Sequence, residues 1–232
     1  FGTTSFGSHF PVENIDRIEI IRGPGSILHG NFAELGVINI ITKKGSQLNG
    51  GKVSGSYGRF EHGEASKNTV ITVGKQWDDL EASFYGKFNE SHRSDRIYHD
   101  AKGNSFDMAD NNKLNSLFGN VKIRYKELNL QFLVDEYTVD SRDFFADTIS
   151  PADTFTRTRF ATYASKLTYQ HLFNDNFKLD TGFDYSHQTP WQRTAINSGK
   201  DDDLQEKVSV DHYKFDIKGT YSSEPGHYLV IG

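Results

Sequence analysis

Several features are missing from this sequence, and each absence narrows the class of protein. Cysteine does not occur among the 232 residues, which excludes disulfides and thiolate chemistry. No run of about 18 apolar residues occurs, so no transmembrane helix is predicted. The formal net charge is −5, and this small acidic excess gives no indication of a nucleic-acid partner.

Signals of processing and of catalysis are missing as well. No signal peptide is visible and residue 1 is not Met, so we expect Phe1 to be an internal position of a longer chain. We find no nucleophile with a base, no Gly-rich phosphate loop and no supported carboxylate pair. The His and Asp residues of 91–112 have neither zinc nor calcium spacing. We therefore predict no catalytic residue, no metal site, no cofactor and no enzymatic activity.

The composition that remains is typical of amphipathic β-strands. Aromatic residues make up 13% of the chain and Gly occurs 21 times, although apolar residues reach only 35%. Such a balance favours strands with one apolar and one polar face. Segment 80–89 shows this alternation along its whole length. We place Leu80, Ala82, Phe84, Gly86 and Phe88 on one face, and Glu81, Ser83, Tyr85, Lys87 and Asn89 on the other.

The lengths of strands and connections distinguish a membrane barrel from a soluble sheet. Predicted strands of about 9 to 15 residues match the span of a tilted membrane strand, and aromatic residues gather near their ends. Short and long connections also alternate, as in outer-membrane barrels, which places the long ones outside the cell. The short connections are 76–79, 126–127, 173–176 and 222–226, and the long ones are 91–112, 140–156 and 189–205.

Segment 11–44 is the most distinctive part of the sequence. Alternating apolar and charged residues end in a Gly-Pro-Gly turn, a short helix closed by Gly30 is predicted next, and an apolar run follows. We interpret this as strand, turn, helix and strand, with both strands largely buried. The recognisable pieces are Ile18-Glu19-Ile20-Ile21-Arg22-Gly23-Pro24, Ser26-Ile27-Leu28-His29-Gly30 and Gly36-Val37-Ile38-Asn39-Ile40-Ile41-Thr42.

These pieces resemble the end of the plug domain in TonB-dependent outer-membrane receptors, with His29 where that family usually has Tyr. The resemblance implies a mainly β fold: part of a large antiparallel transmembrane β-barrel with a mixed α/β plug segment inside. Residues 1–47 would be the C-terminal part of the plug, and residues 48–232 the first eight to nine strands of an incomplete barrel. The Gly-rich stretch 45–51 is the expected linker between them.

The resemblance also assigns roles to individual residues. Arg22 would pair with glutamates of the barrel wall beyond residue 232 and latch the plug, whereas ordinary surface charges are the alternative. The residues of the plug motif and latch are Arg17, Glu19, Arg22, Gly23, Pro24, Ser26, Gly30, Gly36 and Asn39. The candidates for substrate contact are Phe6, His9 and Phe10 before the motif, and Arg93, Arg96 and Tyr98 in a long loop. Both groups could instead be ordinary loop residues.

The function implied by the resemblance is active uptake of a scarce nutrient across the bacterial outer membrane. TonB, with ExbB and ExbD, would supply energy from the inner membrane, and outer-membrane lipid and lipopolysaccharide would surround the barrel. A ferric siderophore or another iron complex is the first expectation for the ligand. Cobalamin, haem and oligosaccharide remain alternatives, as do a passive porin, a barrel enzyme, and a receptor that signals through an N-terminal extension.

Overall fold

The computed structural model describes residues 11–23, 36–100, 102–109, 112–141, 154–197, 205–224 and 227–231. A short 3₁₀ helix, Val12–Asn14, precedes strands β1 (Ile15–Arg22) and β2 (Gly36–Thr42), and a four-residue helix α1 (Gly45–Leu48) follows them. The later strands are β3 (Gly50–Arg59), β4 (Glu64–Trp77), β5 (Leu80–His92), β6 (Ile97–His99), β7 (Ser105–Asp107), β8 (Lys113–Tyr125), β9 (Leu128–Ser141), β10 (Thr154–Asn174), β11 (Phe177–Asn197), β12 (Gln205–Glu224) and β13 (His227–Ile231).

A nine-stranded antiparallel sheet forms most of the described structure. Its order is β13-β12-β11-β10-β9-β8-β5-β4-β3, so strands that follow one another in the chain lie side by side. Strands β6 and β7 are left out of this order because they form a separate hairpin within the connection between β5 and β8. The predicted mainly β fold and its antiparallel meander are thus confirmed.

The two faces of this sheet are inverted relative to a soluble protein. On β5, Phe84 and Phe88 are 39% and 50% exposed, whereas Tyr85 and Lys87 are 1% and 7% exposed. Alternate residues of a strand point to opposite faces, so on β5 the apolar face is open and the polar face is covered. We call the covered face the inner wall. Such an arrangement suits a wall surrounded by lipid, which solvates apolar side chains.

Aromatic side chains form a row where β10 and β11 meet at their short connection. The ring centroids of Tyr169 and His171 are 6.0 Å apart, those of His171 and Phe173 4.5 Å, and those of Phe173 and Phe177 5.4 Å. Amphipathic rings are favoured at the boundary between lipid and water. Glu127, in the neighbouring turn, is 2.9 Å from the His171 ring, and this hydrogen bond lowers the pKa of the Glu127 carboxyl.

The connections agree with the predicted alternation, but the strands are longer than predicted. Residues 78–79, 126–127 and 175–176 are two-residue turns. Strands β10 and β11 have 21 residues each and β12 has 20, beyond the predicted maximum of about 15. The excess lies on the side of the long connections, because hydrogen bonding between neighbours continues past the apolar band. The length needed to span a membrane therefore underestimates the length of these three strands.

Strands β1 and β2 form a separate two-stranded antiparallel sheet, in which Ile18 pairs with Ile40 and Ile20 with Ile38. The prediction that both strands are largely buried was wrong for the described structure, because Ile20 and Ile38 are 66% and 62% exposed. The nine strands form an open sheet, and strands β1 and β2 remain largely uncovered beside it. No helix in the described parts of the chain is long and apolar enough to cross a membrane.

Candidate plug-docking and ligand-binding sites

Helix α1 packs against the inner wall through two glycines. A Cβ atom on Gly45 would lie 2.7 Å from the Lys75 carbonyl oxygen and inside contact distance of the Ala82 carbonyl oxygen. A Cβ atom on Gly74 would lie 2.8 Å from Leu48 Cδ1 and 2.9 Å from Gly45 Cα. Only glycine allows this approach. The predicted linker therefore contains a short helical turn held against β4 and β5.

Glu81 anchors the same helix chemically. One of its carboxylate oxygens accepts hydrogen bonds from the Ser46 backbone N–H at 2.8 Å and from the Ser46 hydroxyl at 2.5 Å. The other oxygen is 2.8 Å from Arg124 Nη2 on β8. A buried carboxylate needs such partners, since an unpaired charge is costly to desolvate. Glu81 thus joins the linker to two strands of the wall.

A second contact holds the segment that precedes β1. Tyr85 lies in a small apolar cluster of the inner wall with Val70, Phe118 and Leu133. Its hydroxyl donates a hydrogen bond to Glu13 Oε2 at 3.1 Å. Pro11 and Asn14, on either side of this contact, are both buried. The chain is therefore fixed to the wall at two levels, near Tyr85 and near Glu81.

The charged residues of the motif are paired within the β1–β2 sheet. Arg17 Nε donates to Glu19 Oε1 at 2.8 Å, and Asn39 Nδ2 donates to Glu19 Oε2 at 3.1 Å. The Arg17 guanidinium, followed by the Asn39 amide, lowers the pKa of the Glu19 carboxyl. Arg22 is exposed and has no carboxylate within ion-pair distance among the residues that the structure describes. The proposed latch therefore remains a prediction.

Backbone geometry at the end of β1 fits the predicted turn. Gly23 has φ of +97°, a conformation that L side chains rarely adopt. Gly36 follows a different constraint, since a Cβ atom there would lie 2.7 Å from the Ile21 carbonyl oxygen. Six predicted site residues lie outside the described residues, together with the predicted short helix: Phe6, His9, Phe10, Pro24, Ser26 and Gly30.

The structure brings together the three loop residues predicted to contact substrate. Arg93, Arg96 and Tyr98 line one cavity of about 180 Å³ in the connection between β5 and β8. Asn112 holds this loop in place, because its Oδ1 accepts the Arg93 N–H at 3.0 Å and its Nδ2 donates to the Ser94 carbonyl at 2.8 Å. Two arginines and a tyrosine therefore line a cavity whose side chains suit an anion, and the Arg93 guanidinium also donates to the Asp140 carbonyl oxygen at 3.4 Å.

The loop cavity is also braced by the preceding loop. The His62 N–H donates to Asp95 Oδ2 at 2.8 Å, and Arg96 Nη2 lies 3.9 Å from Glu61 Oε2. The connection between β3 and β4 therefore supports the wall of the cavity. Within the described residues, no group of three or more His, Asp and Glu side chains is placed to hold a metal ion.

Sequence reasoning missed the residues that dock the linker. Glu81 and Tyr85 were treated as parts of an alternating pattern, and Gly45 as part of a linker. Alternation alone could have identified Glu81 as a charge on the covered face. It could not identify the partner, since Ser46 is brought near by a turn whose geometry no motif specifies. Glu13 was missed because no motif links it to its partner Tyr85, which is distant in the sequence.

Comparisons with known proteins agree with the observed fold. The ferrienterobactin receptor of Escherichia coli strain K12 is 27% identical over 236 residues, a match that covers 90% of this chain and 31% of that receptor. The ferric-catecholate import receptor Fiu of E. coli K12 superposes with a TM-score of 0.59 at 13% identity, covering 91% of this chain and 37% of that one. These relatives are TonB-dependent outer-membrane receptors, and the chain is similar to them in sequence and in fold.

A shorter match has a higher identity. The vitamin B12 transporter BtuB of Vibrio vulnificus is 43% identical over 69 residues, which is 30% of this chain and 11% of that protein. No protein-family model matches the chain. The chain spans about a third of the ferrienterobactin receptor. The relatives are receptors and transporters rather than enzymes, which supports the prediction of a non-enzyme in the bacterial outer membrane.

Proposed function

We propose that this TonB-dependent receptor takes up a ferric siderophore across the outer membrane. The observation that carries the proposal is the match to the ferrienterobactin receptor along 90% of the chain. The loop cavity adds chemical support, because the Arg93 and Arg96 guanidinium groups favour an anionic iron chelate. Phe6, His9 and Phe10 belong to the same proposal as contacts from the plug side.

The presence of two separate sheets supports a division of the chain into plug and barrel within this proposal. We assign residues 1–47 to the C-terminal part of the plug and residues 48–232 to the first eight to nine strands of the barrel. The ligand binds between the long extracellular loops and the plug. TonB, with ExbB and ExbD, supplies the energy to displace the plug, while lipid and lipopolysaccharide contact the exposed apolar face.

Cobalamin is the second candidate ligand, because the match to a vitamin B12 transporter has the higher identity over its shorter length. The two candidates differ in the charge that the loop cavity must accept. Two arginines in one small cavity favour a ligand with several negative charges.

Uptake by a strain that lacks the receptor gene tests the function directly. Under iron limitation, we expect restored growth and restored uptake of radiolabelled ferric tricatecholate when the gene is returned. Uptake of cyanocobalamin should stay unchanged. Restoration of cobalamin uptake instead would replace the siderophore assignment, and equal growth with and without the gene would remove it.

Substituting the two arginines of the loop cavity should weaken ligand binding. We expect Arg93→Gln with Arg96→Gln to raise the Kd for ferric tricatecholate at least about tenfold, since a hydrogen bond to a charged group contributes about 1.5–3 kcal/mol. Fluorescence quenching of the purified receptor measures this Kd. Lys102→Gln is the matched control, because Lys102 is an exposed cation of the same loop outside the cavity. Equal affinities in all variants would argue against the cavity.

The latch proposal predicts a change in passive permeability. Arg22→Ala should loosen the plug and make cells several-fold more sensitive to a large antibiotic that the outer membrane normally excludes. Arg22→Lys, which keeps the charge, should be affected less. Sensitivity that matches the unsubstituted receptor in both variants would count against a latch at Arg22.

A further inference from the structure

A second cavity lies on the inner wall beside the linker, far from the loop cavity along β5. Its volume is about 290 Å³, and Glu81 and Ser83 of β5 form one side of it. Lys44 borders it from the linker, and Lys122 and Arg124 border it from β8. We call it the linker cavity. It lies at the end of the sheet that carries the short turns, because β5 begins just after turn 78–79.

The charge of the linker cavity is strongly positive. Four cationic side chains line it against a single carboxylate, that of Glu81. The Glu81 carboxylate is already paired with Arg124 and hydrogen-bonded to Ser46. Lys166 Nζ lies 3.5 Å from Asp184 Oδ1. Among the described residues, neither Lys44 nor Lys122 has a carboxylate within ion-pair distance. Lys122 Nζ makes only a long contact of 3.4 Å to the Thr42 carbonyl.

A half-buried ammonium without a counter-ion is a favourable place for an anion. Lys122 lies on the covered face of β8, where less water solvates its charge than at an open surface. Asn129 and Gln131, on the neighbouring strand, add amide donors to the same cavity. The donor set therefore fits the oxygen atoms of a carboxylate or catecholate group.

The contact between Glu13 and Tyr85 separates the linker cavity from the part of the inner wall that lies nearer the long connections. Inward-facing residues of β5 follow the order Glu81, Ser83, Tyr85, Lys87 and Asn89 from the short-turn end. Lys87 and Asn89 border an upper polar cavity of about 610 Å³, which also includes Arg93 of the loop region. Tyr85, bonded to Glu13, lies between the two cavities.

We propose that the linker cavity is an exit-side binding site for the anionic cargo, occupied after the Glu13–Tyr85 contact has opened. Lys44 and Lys122 are its ligands, and the cargo is bound through catecholate or carboxylate oxygens. The proposal rests on the proposed function, because it needs an anionic cargo that passes along this wall. The site acts after recognition, so its loss should slow transport without weakening binding at the cell surface.

Transport and binding measured separately test the site. In the complete receptor, we expect Lys44→Gln with Lys122→Gln to lower the maximal rate of radiolabelled ferric tricatecholate uptake about tenfold, the effect of losing one charge-assisted hydrogen bond. The Kd at the cell surface should not change. Lys44→Arg with Lys122→Arg should restore most of the rate. Lys214→Gln with Lys218→Gln is the matched control, since these lysines face inward on β12 outside the cavity.

Each of the following results would contradict the proposed binding site. An unchanged uptake rate in the double Gln variant would show that the cavity does not hold the cargo. Increased antibiotic leakage would show instead that the lysines bind an acidic part of the plug. Failure of the unsubstituted receptor to bind ferric tricatecholate would contradict the proposed function itself and, with it, the cargo assigned to the cavity.

Discussion

Replacing Gly45 by Ala is expected to release the linker from the inner wall. The new methyl group would collide with the carbonyl oxygens of Lys75 and Ala82, which belong to two paired strands and cannot move apart without breaking the sheet. Overpacking of this kind costs about 3 kcal/mol at the upper end of its usual range. The helix should move instead, and with it the hydrogen bonds to Glu81.

Hydrogen exchange of the linker amides measures this release. In the receptor, the amides of Ser46 and Asn49 are protected by Glu81 Oε1 and the Gly45 carbonyl, at 2.8 and 2.9 Å. A loss of about 3 kcal/mol should raise their exchange rates about a hundredfold. Gly51→Ala is the matched control, because its nearest neighbour outside the adjoining residues would be Val73 Cγ2 at 3.7 Å. Equal protection in both variants would mean that α1 does not pack as closely as described.

A charge on the apolar face of the wall should destabilise the barrel. Ile71 lies in the middle of β4 with Val53 and Gly86 as its neighbours on β3 and β5. Those neighbours offer no polar partner, and lipid offers none either. Ile71→Arg should therefore cost about 2–4 kcal/mol, as charged side chains do near the bilayer midplane of a barrel. Urea unfolding of the receptor in lipid vesicles measures the loss.

The next residue provides the control for that substitution. Thr72 faces inward and borders a cavity of about 450 Å³ that also contains Glu13 and Asp16. An arginine there has space and acidic neighbours, so Thr72→Arg should change the free energy of unfolding by less than about 0.5 kcal/mol. If Thr72→Arg were the more harmful change, the two faces would be assigned the wrong way round.

The fold was largely predictable because the sequence repeats one simple pattern. Phe84 and Phe88 alternate with Tyr85 and Lys87 on β5, and this alternation predicted the two faces of the wall. Turn 126–127 was predictable because only two polar residues separate two such strands. The pattern could not predict where β10 and β11 end on the side of the long connections. Polar residues there extend the strand pairing without any change in periodicity.

The sites were less predictable because they depend on contacts between distant segments. Arg93, Arg96 and Tyr98 could be named from one loop, and the structure places them around one cavity. The contacts of Glu81 with Ser46, and of Tyr85 with Glu13, join residues 35 and 72 positions apart. Neither of these sequence separations corresponds to a sequence motif. The burial of β1 and β2 was overestimated because their apolar composition was taken as evidence that other parts of the structure pack on them.

The most direct test of the inverted wall is a spin-label scan of β5 in the complete receptor in lipid vesicles. This chain contains no cysteine, so a single introduced cysteine carries a label at a unique position in it. Oxygen accessibility should alternate along positions 80 to 88, high at even-numbered sites such as Phe84 and low at odd-numbered sites such as Tyr85. Oxygen accessibility highest at the odd-numbered sites, or no alternation at all, would contradict an apolar face turned to lipid.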